Sequence, residues 1–385
     1  MNVAPAHARR SVNEPLIDSL ARVTNDLAKA AREDDQSESF PTKAISLLQQ
    51  AGCTKAVLPK VWGGRCLGWR PTSRATLLDV LQAIGGVHLS VARLFEGHVN
   101  AFQLLWTFGT SAQRDALCAH VHGGGLLGVW NAPSPRGEMS LTGHPPAAFR
   151  LQGSKAYASG AGHIERPLVT AKHEQLGTVM VWPLDSYVTG PASEWSMQGM
   201  RASTTRSVTF NSAITSDQVF GAADDYHRQP IFSGGAWRFL AAQLGAGRAL
   251  LDVMRLTLVQ RGRADDAHQR ARMAEGAAAI ETARLWVEVA SSASFDDALE
   301  AAEVIAKVDM ARMVVERQLL DVLEIVQRSV GLSAFSRASE LERIARDLAT
   351  YLRQPAPDGL RDAIGRRAFD APIHPTPGLH DDLKR

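Results

Sequence analysis

Cysteine is nearly absent from this chain. Cys53, Cys66 and Cys118 are the only three in 385 residues, with no CxxC pair and no Cys/His spacing. A disulfide framework or a zinc module as the organising element is thereby excluded, and no metal site is expected. Charge of one sign is lacking too: 42 Lys and Arg stand against 40 Asp and Glu, a net charge of +2. Such a balance gives no field that would make nucleic acid or an anionic membrane a partner. No uninterrupted apolar run reaches the length of a membrane span. The opening MNVAPAHARR carries two arginines without an apolar segment behind them, unlike a secretory leader. The expectation is a cytoplasmic, globular protein, long enough for two or three packed subdomains.

What is present changes texture twice. Residues 1–122 read as a helical domain. In "PLIDSLARVTNDLAKAARE", Leu16, Leu20, Val23 and Leu27 recur at three- and four-residue spacing, one face of an amphipathic helix. "TKAISLLQQAG" repeats the pattern and stops at Gly52, a helix-ending glycine. Residues 123–230 lose that period. Short β-branched and aromatic runs such as "LLGVWNA", "TVMVWPL" and "SVTFNSAI" alternate with Gly, Pro, Ser and Asn, which predicts a small antiparallel sandwich or barrel. Residues 231–385 turn helical again, in long Ala- and Leu-rich stretches suited to a four-helix bundle. The fold class is therefore α+β, in the order helices, β domain, helical bundle.

Four segments in that order carry a family resemblance. "AGCTKAVLPKVWGG" resembles the stretch leading to a Tyr-Gly-Gly loop in the acyl-CoA dehydrogenase superfamily of flavoproteins. "FGTSAQRDALCAHVHGGGLLGVWNAPSP" resembles that family's helix and first flavin-contacting strand. "FRLQGSKAYASGAGHIERPLVTAK" and "GMRASTTRSVTFNSAITSDQVFG" are similar to two further strands. The resemblance implies FAD, or FMN if the chain is a monooxygenase, held between the β domain and the rear helices. It implies that Trp130, Asn131 and Ala132 meet the flavin edge, that Tyr157 shields the ring and that Ser159 lies near N5. Read as residues alone, Tyr157 and Ser159 are alternating strand positions.

Arg261 resembles an arginine that reaches the flavin diphosphate of a neighbouring subunit, where a planar guanidinium suits phosphate oxygens. It also fits a helix C-terminus, where a cation meets the dipole. Gly331 resembles a glycine through which a partner chain approaches the same diphosphate, and equally ends a helix. The sequence departs from the family after Arg261: "GRADDAHQRARMAE" is shorter and more charged than the expected segment.

A second departure concerns chemistry. "RDLATYLRQPAPDG" aligns with the loop that carries the dehydrogenase glutamate, and Pro355 stands where that base belongs. Prolines at 355 and 357 predict a stiff extended wall lining the site. The family's other position for this glutamate, near Gly235–Trp237, is not acidic either. Substitute bases are Asp358 and His98; Glu96 is a third, but two residues from His98 on one helix it faces away from it. The main expectation is a flavin oxidoreductase acting on the CH–CH group of an acyl thioester with an unusual base. The alternative is a two-component flavin monooxygenase, a branch that also lacks the glutamate and to which Asn131, Ser159 and His98 are suited. No histidine lies between His268 and His374 to supply that branch's second one. A third reading is a flavin-binding protein that has lost catalysis. Expected partners are a small substrate such as an acyl-CoA, an electron-transfer partner or flavin reductase, and further copies of the chain in a dimer or tetramer.

Overall fold

The computed structural model describes residues 15–144, 148–184, 187–337, 339–353 and 357–370. Helices α1 (Leu16–Ala21), α2 (Thr24–Ser37), α3 (Thr42–Ala51), α4 (Arg74–Val87), α5 (Leu89–Phe108) and α6 (Ser111–His122) come first. The periodic stretch after Pro15 divides into α1 and α2, yet its apolar face holds: Leu16, Leu20 and Leu27 are buried. α3 ends at Gly52 in the left-handed conformation, with φ 82°. α6 opens on a capping box in which the Thr110 hydroxyl accepts from the Gln113 N–H and the Gln113 side chain accepts in return from the Thr110 N–H.

Strands β1 (Val129–Trp130), β2 (Ser140–Thr142), β3 (Phe149–Ala158), β4 (Leu168–His173), β5 (Gly177–Val181), β6 (Val188–Thr189), β7 (Arg206–Ile214) and β8 (Val219–Phe220) form one eight-stranded sheet. The order is β6-β7-β3-β2-β4-β5-β8, with β1 attached to β4. The central sheet is antiparallel-rich, as expected, with parallel pairing only where β1 and β2 meet β4. Alternation sets the faces: in β7, Val208, Phe210, Ser212 and Ile214 are buried while Thr209, Asn211 and Ala213 are exposed.

Helices α7 (Ile231–Gly234), α8 (Trp237–Gln260), α9 (Ala267–Ala293), α10 (Ala301–Val330), α11 (Glu340–Tyr351) and α12 (Pro357–Asp370) complete the chain. The expected extended wall is corrected in its second half. Pro357 opens α12, where its missing N–H costs nothing because that donor is unpaired in any helix. Pro355 lies outside the described residues.

The N-terminal and C-terminal helices meet without spacers. A β-carbon on Gly85 of α4 would collide with the Ala242 carbonyl oxygen, and one on Gly245 of α8 would collide with that of Gln82. Backbone therefore packs on backbone, and the two regions share one apolar core. Gly85→Ala is expected to force α4 and α8 apart and cost roughly 1–3 kcal/mol, read as a lower urea midpoint at unchanged slope. An unchanged midpoint would mean that the crossing can slide. Among the described residues no helix is long and apolar enough to cross a membrane.

Candidate functional site

The site forms where the end of β1 meets the bulge of β3. Trp130 is buried and its indole N–H donates to the Ser159 carbonyl at 2.9 Å, tying the two segments together. The next residue, Asn131, is a hub. Its side-chain oxygen accepts from the Thr170 hydroxyl and lies 3.4 Å from the Lys155 ammonium, which also donates to Thr170 at 3.0 Å. The Tyr226 hydroxyl completes the hub through a hydrogen bond with Asn131. Burial pushes the Lys155 ammonium down to about 8 and the Tyr226 hydroxyl up to about 12, each by penalising the charged form. Ala132 contributes its carbonyl to the Ala156 N–H at 3.0 Å.

The pairing of β3 with β7 slips between Lys155 and Ala158. Tyr157 occupies that bulge with φ 53° and 64% exposure. A bulky residue in the left-handed region is uncommon, and here the bulge turns a large ring outward to solvent. Ser159 comes next on this wall, its hydroxyl 3.0 Å from that of Thr205, which is 2.8 Å from that of Ser203. Between the last two, Thr204 sits at φ 43° with its buried hydroxyl unpartnered among the described residues. This donor-rich, strained wall fits the polar edge of an isoalloxazine, with Tyr157 free to cover its face.

On the side of the N-terminal helices this wall borders a narrow crevice. α5 packs so closely on the wall that only about 10 Å³ remains between Arg93, Gly97, Trp130 and Ser159, room for one water.

Behind that crevice lies a buried ionic cluster. Glu96 is 3% exposed. It is in contact with the Arg93 guanidinium, accepts from the Asn100 amide and accepts from the Tyr351 hydroxyl at 3.2 Å. Arg238 of α8, 2% exposed, donates to the side-chain oxygens of Asn100 and Gln103, both at 2.6 Å, and to the Gly68 carbonyl at 2.8 Å. Burial pushes Arg238 down to about 10 against the pull of Glu96. Arg238 directly follows the Gly235–Trp237 stretch.

The remaining expected site residues lie elsewhere. His98 lies away from the group above. It is fully buried, its Nε2 lies 2.9 Å from the Thr54 carbonyl, and its Nδ1 accepts from the Leu127 N–H at 3.1 Å. Both ring nitrogens are used, and burial pushes the imidazole down to about 4. Asp358 lies in the first turn of α12, its side chain 95% exposed and 3.8 Å from Arg361. Arg261 closes on its own chain, donating to the Val330 carbonyl at 2.9 Å and the Ser333 hydroxyl at 2.7 Å. Gly331 has φ 75°, and a β-carbon there would meet nothing within 4 Å, so its backbone is open on that side. The structure thus gathers Trp130, Asn131, Ala132, Tyr157 and Ser159 in one group, and Arg261 and Gly331 in another.

Sequence reasoning missed Lys155, Thr170, Tyr226, Arg93, Asn100 and Arg238. One signal was available: Arg93, Glu96, Asn100 and Gln103 recur every three or four residues in an otherwise apolar helix, a polar stripe on one face.

Residues 16–124 match the family model "Acyl-CoA dehydrogenase, N-terminal domain". The acryloyl-CoA reductase (NADH) of Anaerotignum propionicum is 26% identical over 147 residues, 36% of this chain and 36% of that protein; the match thus spans about a third of the relative's length. FMN-bound TdsC from Paenibacillus sp. A11-2, a dibenzothiophene monooxygenase, superposes with a TM-score of 0.82 at 20% identity, over 95% of this chain and all of the other. Butyryl-CoA dehydrogenase from Megasphaera elsdenii gives 0.79 at 17% identity, over 94% of this chain and all of the other.

Proposed function

We propose that this chain, which has the acyl-CoA dehydrogenase-like fold and carries that family's N-terminal domain at residues 16–124, is a flavin-dependent monooxygenase of a small molecule. One observation carries this reading. Of the three candidate bases, Glu96 is held by Arg93, Asn100 and Tyr351, His98 by two backbone groups, and Asp358 stands exposed on α12 beside Arg361, outside the buried site. Dehydrogenation of an acyl thioester needs a free base within reach of the α-proton. Oxygenation by a reduced flavin does not.

A bound flavin supplies the electrons for dioxygen activation; the protein supplies binding, orientation and polarity. Tyr157 covers the ring, Ser159 offers a hydroxyl held in place by Thr205, and the unpartnered Thr204 hydroxyl offers a second donor. Lys155, with its ammonium lowered to about 8, keeps positive charge near Asn131 at neutral pH and favours an electron-rich ring. FMN suits the chain better than FAD, since Arg261 is occupied by its own α10 end. Reduced flavin would come from a separate reductase. Exposed Leu256, Val259, Leu285, Val289, Leu332 and Phe335 on the C-terminal helices support assembly with further copies of the chain.

The test is to mix the protein with reduced FMN and then with dioxygen. Flavin reoxidation is expected to slow at least tenfold relative to free flavin, and Ser159→Ala is expected to abolish most of that protection. Bleaching of protein-bound flavin by an acyl-CoA under anaerobic conditions would overturn the proposal in favour of dehydrogenation.

A further inference from the structure

A cleft of about 370 Å³ lies at the far end of α5, lined by Trp69, Arg70, Gln103, Trp106, Phe295 and Asp297. Six residues separate Gly97, at the flavin-side crevice, from Gln103, which is about 9 Å along a helix. The cleft is therefore a separate space from the Ser159 wall. Its apolar surface is aromatic: Trp69 and Trp106 have ring centroids 4.9 Å apart, and Trp69 is fixed by its indole N–H to the Val57 carbonyl at 2.6 Å. Phe295 faces them from the end of α9 and packs edge-on against Trp237.

The polar end of the cleft is unbalanced. Gln103 is a cleft residue whose side-chain oxygen rests on Arg238 at 2.6 Å. Behind it, the guanidinium groups of Arg93 and Arg238 share the one carboxylate of Glu96, while Tyr351 and Tyr226 are held neutral by burial. The nearby Asp225 is paired with Arg228. Arg238 Nε has no partner among the described residues. Arg70 and Asp297 at the mouth cancel in charge. Arg93 is partly open to solvent, its side chain 27% exposed, whereas Arg238 is 2% exposed and its hydrogen bonds go to the neutral oxygens of Asn100, Gln103 and Gly68. A buried cation without a carboxylate in contact is costly unless an anion completes it, and arginine holds a carboxylate best through two parallel N–H donors.

We infer that the Trp69–Trp106–Phe295 cleft binds a planar aromatic carboxylate, its ring against the aromatic wall and its carboxylate displacing the Gln103 side chain from Arg238. The site is independent of the flavin reading, and its test reads binding, not turnover.

Isothermal titration of the full chain with benzoate should show saturable binding, with benzamide and acetate each at least tenfold weaker. Gln103→Glu places a carboxylate of nearly the same shape on Arg238. It should weaken benzoate at least tenfold and raise the thermal unfolding temperature. Trp106→Ala, on the aromatic wall away from the ionic cluster, should weaken benzoate at least fivefold and decides the matter should Gln103→Glu not fold. No benzoate binding, equal affinity for benzamide, or unchanged benzoate affinity in either folded variant overturns the inference.

Discussion

Glu96→Ala is expected to destabilise the protein by roughly 3–5 kcal/mol, the cost of leaving a buried charge without its partner. The variant leaves the buried Arg238 and the partly exposed Arg93 without a carboxylate, since Glu96 is the acid in contact with Arg93 and the one that acts on Arg238. It also leaves the Tyr351 hydroxyl and the Asn100 amide without this acceptor. Urea unfolding followed by tryptophan fluorescence measures the loss. Combining Glu96→Ala with Arg238→Met should recover a large part of it, because one of the uncompensated charges is then gone. A loss below about 1 kcal/mol, the scale of an exposed ion pair, would mean that water already reaches the cluster and that its charges are screened.

The second large effect depends on pH. His98 stays neutral in the folded protein down to about 4, whereas the same imidazole in the unfolded chain takes its proton near 6.5. As pH falls from 6.5 to 4, the unfolded chain binds a proton that the fold refuses, so stability is lost across that window. The shift corresponds to roughly 3 kcal/mol. Buried Asp347 works the other way: burial raises its carboxyl to about 6, so its contribution is lost as pH rises through the interval from 3.8 to 6. The clean measurement is therefore a difference. The stability gap between wild type and His98→Gln, taken at pH 7 and again at pH 4, should narrow by roughly 3 kcal/mol. A constant gap would show that His98 is solvated and free to titrate, and would return it to the catalytic candidates.

These two residues show where reading the sequence worked and where it stopped. Their positions on α5 make them face opposite ways, as two-residue spacing on a helix requires. The structure agrees: Glu96 turns to Tyr351 and His98 to Thr54 and Leu127. What spacing does not give is the identity of the groups on the other side. Leu127 and Thr54 come from distant segments, and their backbone N–H and carbonyl are indifferent to side-chain type. A histidine that is satisfied by backbone looks, in sequence, the same as a histidine waiting for a substrate. Asp358 shows a different limit. Whether Pro357 continues an extended loop or starts a helix turns on the residues after it, and Pro is equally at home in both.

The order of helices, strands and helices, and the absence of an acidic residue at position 355, were legible from local pattern, because periodicity and residue type are properties of the chain alone. The parallel pairing of β1 and β2 with β4, the narrow crevice between α5 and Trp130, and the burial of Arg238 among neutral oxygens were decided by tertiary structure. Each depends on which residues, far apart along the chain, are brought into contact once water is excluded, and no local window of sequence contains that information.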